Sequence, residues 1–214
     1  MSPSPGQVPD LVARAAAGDR EAIVELLDHY RPRLRRMVAM RLDPRLRGRV
    51  DASDVIQEGY LDAMRRLDEF IRDPAVPFYI WLRFLVGQRV QEQHRRHLGA
   101  PGRDVGREVS IYRGAMPGAS TGALAARLLG KLTNPFEAAL RTERKVRLQE
   151  ALNRMDPLDR EILVIRHYEQ MTNSDAAAAL GLEQSAASKR YTRALTRLKE
   201  ILAEIRGTGS EGGT

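Results

Sequence analysis

Residues Thr172–Glu200 read TNSDAAAALGLEQSAASKRYTRALTRLKE, and much of the architecture follows from how this stretch is parsed. Asn173 or Ser174 supplies the cap of a short helix running to about Leu180. Gly181 then makes the turn, because a left-handed backbone is cheap only for glycine. Ala177, four residues before Gly181, leaves room for two helices to cross closely. A second helix starts near Gln184 and continues past Lys199. This spacing predicts a helix-turn-helix, whose second helix enters the major groove of DNA. The charges agree with it. Lys189, Arg190, Arg193, Arg197 and Lys199 all lie on that helix, with no acid between Gln184 and Lys199. Arg190, Arg193 and Arg197 recur at steps of three and four and so share a face. Such a stripe neutralises phosphates, while Ser185 and Ser188 are small enough to approach base edges. The same residues could form an antiparallel hairpin with a solvated basic face, but a plain surface helix usually mixes both signs.

Working outward, helical periodicity covers residues 136–205, and residues 206–214 are expected to be a disordered tail. On the other side, Gly99, Pro101, Gly102, Gly106, Gly114, Pro117, Gly118 and Gly122 punctuate residues 99–135. That segment reads as a flexible linker, too long for a loop inside one domain. Leu124, Leu128, Leu129 and Leu132 offer it one short helix. Residues 10–98 are again helical, with apolar residues three and four apart. Ile23, Leu26, Leu27, Tyr30, Leu34, Met37 and Val38 form one stripe, and Val55, Ile56, Tyr60, Met64, Leu67 and Phe70 a second. Trp81, Leu82, Leu85 and Val86 begin a third. Pro44, Pro74 and Pro77 fall between the stripes, where helices should stop. The fold class is therefore all-α: two small helical domains, an N-terminal bundle and a C-terminal helix-turn-helix domain, joined by a flexible linker.

Composition narrows the function. The 214 residues include no cysteine, which excludes disulfides and cysteine-ligated zinc or iron–sulfur centres and suits a reducing cytoplasm. The start, MSPSPGQVPD, has no apolar stretch of the kind a secretory signal needs. No run approaches the roughly 18 apolar residues of a membrane span, so membrane insertion is not expected. A formal charge of +7 favours a polyanionic partner. Against that background, Asp54, Glu58 and Asp62 make a carboxylate stripe opposite the apolar one on their helix.

Taken together, the chain resembles the sigma-70 family of bacterial RNA polymerase initiation factors, in its short two-domain, extracytoplasmic-function (ECF) form. The resemblance covers about Asp10 to Ile205 and rests on three motifs in order. DASDVIQEGYLDAMRRLDEF, Asp51–Phe70, resembles the acidic helix that meets the clamp helices of the polymerase's largest subunit. On that likeness Asp51, Asp54, Gln57, Glu58 and Asp62 are the residues expected to bind core enzyme. FYIWLRFLVGQRVQEQHRRHL, Phe78–Leu98, is similar to the promoter-opening helix, with Gln88 and Glu92 where Asn and Asp are usual. Trp81, Gln88, Gln91, Arg95 and Arg96 are the −10 contacts it implies, and the preceding loop, about Asp73 to Pro77, the place of base capture. The stretch Leu148–Leu202 resembles the −35-binding domain, departing from the usual pattern at Ser185 and Ala187. It implies −35 contacts from Ser185, Ser188, Lys189, Arg190 and Arg193. The implied partners are core RNA polymerase, including its flap region, promoter DNA and an anti-sigma factor of the kind that often restrains this type. No cofactor is implied.

Two other readings compete. Asp51, Asp54, Glu58, His94 and His97 contain metal-ligating types, but His94 and His97 flank Arg95 and Arg96, whose charge opposes a cation. No Glu-x-x-His pair appears, as di-iron bundles require. Neither Ser110 nor Thr121 has a histidine base nearby in sequence, so neither a metal site nor an enzyme is expected. The other rival is an autonomous helix-turn-helix regulator, which normally dimerises to read two half-sites. It gives the acidic stripe and the tryptophan-bearing basic helix nothing to do. The basic stretch RLDPRLRGRV, Arg41–Val50, is unused by every reading.

Overall fold

Helices begin in this chain where a short polar side chain can accept the orphan N–H groups of a first turn. The computed structural model describes residues 7–46, 48–98, 118–129 and 138–208. All regular structure among the described residues is helical. The chain divides into two compact units, Met1–Pro117 and Gly118–Thr214.

In the first unit, α1 (Val8–Ala16) turns through Gly18, at φ 88°, into α2 (Arg20–Arg41). Asp19 caps α2, accepting from the N–H groups of Glu21 at 2.9 Å and Ala22 at 3.1 Å. The Arg14 guanidinium lies 2.6 Å from the same carboxylate. A 3-10 turn (Pro44–Leu46) leads to α3 (Ala52–Arg72), and the loop with Pro74 and Pro77 leads to α4 (Phe78–Leu98). Pro44, Pro74 and Pro77 thus stand outside the α-helices. Pro32 does not: it lies inside α2, which continues past it although proline has no N–H to donate.

The first unit's core lies where α2, α3 and α4 pack on one another. All seven residues of the first apolar stripe are buried. Gly59 marks the closest crossing of α3 and α4, where a Cβ would stand 2.5 Å from Val86 Cγ2. The Tyr60 hydroxyl donates to the Leu27 carbonyl at 2.6 Å, joining α3 to α2. Two members of the second stripe depart from expectation. Met64 is exposed and Leu67 only half-buried, the inward positions being taken by Gly59 and Ala63. Small side chains at those positions bring the helices close and turn the larger neighbours outward.

The second unit begins earlier than periodicity suggested. Helix α5 (Thr121–Leu128) lies inside the expected 99–135 linker, capped by Ser120 Oγ, which accepts from the Ala123 N–H at 3.3 Å. Leu124 and Ala125 are fully buried, and α5 packs on α6 (Ala138–Arg154). The glycines and serines around this short helix gave no sign that it belongs to the second unit. Residues 99–117 lie outside the described residues. Asp156 caps α7 (Pro157–Leu163), which ends in a π-helical turn, Val164–Tyr168. After a sharp bend at Gln170, φ 57°, come α8 (Asn173–Leu180) and α9 (Gln184–Thr208). Helix α9 therefore runs into the expected 206–214 tail, whose last six residues are outside the described set. The cap of α8 is Thr172, whose Oγ1 accepts from the Asp175 N–H at 3.0 Å, rather than Asn173 or Ser174.

Candidate nucleic-acid and protein interfaces

The turn between α8 and α9 closes as glycine allows. Gly181 sits at φ 61°, and the Leu182 N–H donates to the Ala177 carbonyl at 2.9 Å, the bond of a Schellman motif. Asn173 Nδ2 donates to the Gln184 carbonyl at 2.9 Å and ties the starts of the two helices. Ala177 is buried at the crossing, and Ala187, Ala194, Leu198 and Ile201 form the inward face of α9.

The outward face of α9 holds Ser185, Ser188, Lys189 and Arg193, all exposed. Arg190 is placed differently. Its Nη1 donates to Asp159 Oδ1 at 2.6 Å, with Asp156 at 3.8 Å, so it joins α9 to α7 instead of projecting outward. Three residues on from the buried Ala187, it lies at the edge of the inward face and meets the carboxylates there. Arg197 pairs with Glu200 at 3.2 Å. The basic stripe thus narrows to Lys189 and Arg193, with Thr192 and Thr196 exposed between and beyond them. Both threonine hydroxyls donate to carbonyls four residues back, each at 3.2 Å. Behind this face the Tyr191 hydroxyl lies 3.1 Å from His167 Nε2, a link that periodicity does not reveal.

On α4 the expected contacts also separate. Trp81 is only 8% exposed. Its ring stacks on Phe70 at 4.7 Å and lies 5.5 Å from Phe78, so it is a core aromatic without a free face. Gln88 and Gln91 are half-buried, whereas Arg95 and Arg96 are exposed. Gln88, Gln91 and Arg95, at steps of three and four, share a face. Arg96 Nη2 donates to Glu92 Oε1 at 3.2 Å. His94 Nε2 accepts the Asp43 N–H at 3.0 Å, and burial lowers its pKa below the ordinary histidine value. Among the described residues, no group of three His, Cys, Asp or Glu is placed to hold a metal ion. Nor is any helix among them long and apolar enough to cross a membrane.

Helix α3 presents the opposite chemistry. Asp51 caps it, accepting the Ser53 N–H at 2.6 Å, and that bond holds the carboxyl below its usual range. Asp54 and Gln57 are exposed and Glu58 half-buried. Asp62 is 7% exposed, an exception to the expected carboxylate face. Its Oδ2 accepts from Arg89 Nε at 2.5 Å, which joins α3 to α4. Each step of four residues advances about 40° around a helix, so Asp62 stands about 80° from Asp54 and faces the neighbouring helix. The outer face instead carries Leu61, 57% exposed, and Met64, 46% exposed, in line with Asp54 and Gln57. Met64 belongs to the stripe expected to face inward and Leu61 to none of the stripes, although the 54, 57, 61, 64 spacing sets both on one face.

The comparisons agree with this geometry. The sigma-70 region 2 model matches residues 26–98, and the sigma-70 region 4 model residues 145–198. The chain is 30% identical over 197 residues to the ECF RNA polymerase sigma factor SigD of Mycobacterium tuberculosis, covering 90% of this chain and 83% of that protein. It belongs to the sigma-70 family. As an ECF-type sigma factor it directs promoter-specific initiation, acting with core RNA polymerase and promoter DNA. It is also 28% identical over 198 residues to the RNA polymerase sigma factor CnrH of Cupriavidus metallidurans, covering 90% of this chain and 92% of that one. The structure of CnrH in complex with the cytosolic domain of CnrY shares the fold, with a TM-score of 0.51 and 23% identity over 91% of this chain and 96% of that one. In this sigma factor, α3 and α4 lie within the region 2 match, and α8 and the outward face of α9 within the region 4 match. Helices α1 and α5 lie outside both.

Proposed function

We propose that the first unit docks on core polymerase through the outer face of α3, with Leu61 and Met64 as apolar anchors and Asp54, Gln57 and Glu58 as their acidic rim. The observation that carries this is the exposure of two large apolar side chains, in line with carboxylates, on a protein of positive net charge. Protein interfaces combine an apolar centre with a polar rim in this way. Asp51 and Asp62 act behind that face, as helix cap and as partner of Arg89.

The −10 region then meets Gln88, Gln91, Arg95 and Arg96 on α4, with Trp81 stiffening the helix from the core. The −35 element meets Ser185, Ser188, Lys189 and Arg193 on α9, held in place by the Arg190–Asp159 pair. Opening the duplex requires no covalent step by this chain. Contacts to the separated strand offset a few kcal/mol of unstacking per base step. On the family resemblance, an anti-sigma protein that covers these faces is the expected means of restraint.

The test is transcription by purified bacterial core polymerase on fragmented genomic DNA, with and without this protein. Discrete new start sites are expected, and they should vanish when Asp54→Arg and Glu58→Arg are combined. Start sites that survive the double substitution would refute α3 as the docking face. DNA binding that neither recruits core polymerase nor produces start sites would favour the autonomous regulator.

A further inference from the structure

The Arg41–Val50 stretch that no motif explains, Arg47 lying outside the described residues, runs from the end of α2 through the 3-10 turn Pro44–Leu46. Leu42 and Leu46 are buried beneath it. The Leu46 carbonyl accepts the N–H groups of Arg49 and Val50, both at 3.0 Å. Asp43 draws the loop in further: its carboxylate accepts from the Arg45 N–H at 2.8 Å and from the Arg45 guanidinium at 2.9 and 3.0 Å. Its own N–H, donating to His94 at 3.0 Å, pins the loop to the last turns of α4. The residue after His94 is Arg95, on the face proposed to hold the −10 region.

Two features decide what such a loop could bind. Leu42 and Leu46 point inward, so the described residues of the loop offer a protein partner no large apolar anchor of the kind that centres an interface. What the loop leaves outside is Arg49, exposed and without an ion pair among the described residues, the exposed Arg45, and Gly48. Gly48 lies at φ 90° with nothing within 4 Å of where a Cβ would be, so an anion can approach the backbone closely. An unpaired guanidinium beside open backbone suits phosphate oxygens, which position nucleic acid without reading its sequence, while Arg45 offers its remaining N–H groups beside the Asp43 carboxylate.

We propose that Arg49, with Gly48 and Arg45 beside it, is a second contact of the promoter-binding surface and holds the phosphate backbone of double-stranded DNA next to the segment bound by Gln88, Gln91 and Arg95. The proposal rests on the assignment of α4 to promoter DNA. It makes the loop a clamp on the duplex flank of the opened region, independent of base sequence.

The chain has no cysteine, so Arg49→Cys and Gln88→Cys each create a unique attachment point for a hydroxyl-radical cleavage reagent. In holoenzyme on a promoter fragment, both are expected to cut, with the Arg49 cuts in duplex flanking those from Gln88. Cuts from Gln88 alone would overturn the loop contact and leave the promoter reading standing. Cuts from neither would overturn the α4 assignment and the loop contact with it. Arg49→Ala should lower the slope of log affinity against log salt by about 1. Affinity should fall roughly three- to eightfold at about 0.1 M salt, equally on promoter and scrambled duplex. Arg49→Lys should restore most of it. An unchanged slope, or a loss of affinity for core polymerase instead of DNA, would show that the loop does not bind phosphate.

Discussion

Arg89 in the first unit and Arg190 in the second do similar work with different consequences. Each sits on the cation-bearing helix of its unit and reaches an aspartate on an earlier helix, Asp62 at 2.5 Å and Asp159 at 2.6 Å. In the first unit the chain of charges continues. Arg89 Nη1 also meets Glu92 at 2.6 Å, and Glu92 meets Arg96 at 3.2 Å. In the second it stops at the carboxylates of α7, leaving Lys189 and Arg193 outside it. The proposed −10 surface is therefore coupled to the packing of its helices, while the proposed −35 cations stand apart from the pair that holds α9. For the proposed role in opening DNA, such coupling lets the fold itself resist strain in the bound strand.

Removing each aspartate tests this difference, and gives the largest expected effects on stability. Asp62→Ala should cost the first unit about 2 kcal/mol, since the link from α3 to Arg89 is lost while Glu92, at 2.6 Å, remains as a partner of the guanidinium. The single tryptophan, Trp81, packed on Phe70, reports that unit alone in urea unfolding. Asp159→Ala should cost the second unit about 1–2 kcal/mol, because Asp156 remains near Arg190 as a substitute. Hydrogen exchange in α9 reads that unit. Asp62→Ala should also raise promoter affinity slightly under conditions where the protein stays folded, because Arg89 then draws Glu92 away from Arg96 and frees that cation, whereas Asp159→Ala should not. Equal effects of the two substitutions on DNA binding would break the distinction. If Asp62→Ala left stability intact and reduced only core affinity, Asp62 would be a docking residue after all.

A smaller effect separates two neighbours on one helix. Arg193→Ala should lower the salt slope of promoter binding by about 1 and leave unfolding unchanged. Arg190→Ala should do the reverse, lowering the stability of the second unit without altering the slope. Matching slopes for both would mean that the Arg190–Asp159 pair opens on DNA.

These cases show what the sequence makes legible. Helix spacing identified the fold class and the seven residues of the first stripe, all of which are buried on α2. It placed each side chain around its helix but not the neighbour it would meet. Asp62 and Arg190 have the spacing of surface charges, yet each lies at the edge of a packed face opposite an ion of the other sign. Trp81 fits a stacking motif, yet Phe70 and Phe78 enclose it. Leu61 and Met64 are apolar and face outward, because Gly59 and Ala63 suffice for the close approach of α3 to α4. Thr172 caps α8 one residue before the positions expected, a shift that spacing alone cannot resolve. The short helix expected around Leu124 and Leu128 is present as α5, but the glycine-rich sequence before it gave no sign that it packs on α6 as part of the second unit.

The smallest effect concerns pH and again sets one unit against the other. His94 and His167 both have pKa values lowered below the ordinary 6.5, in each case chiefly by burial. For His94, Asp43 opposes the shift and Arg45 adds to it; for His167, Arg166 adds to it. A base with a lowered folded pKa takes up a proton more readily when unfolded. Its stabilising effect is therefore complete above about pH 6.5, declines as pH falls toward the lower folded value, and is constant below it. The two histidines should respond differently to protonation. His94 accepts a backbone N–H, so the protonated ring loses that bond and the 43–49 loop is released. His167 faces a hydroxyl, and Tyr191 can turn from donor to acceptor and keep its bond. As pH falls from about 7.5 to 5.5, the protection factor against hydrogen exchange should drop at Asp43 and its loop, with no comparable change around Tyr191. His94→Gln should remove most of the pH dependence at the loop, because its side chain stays neutral across this range. Loop protection that falls equally in wild type and His94→Gln would show that other groups control it, and that the histidine does not hold the loop against α4.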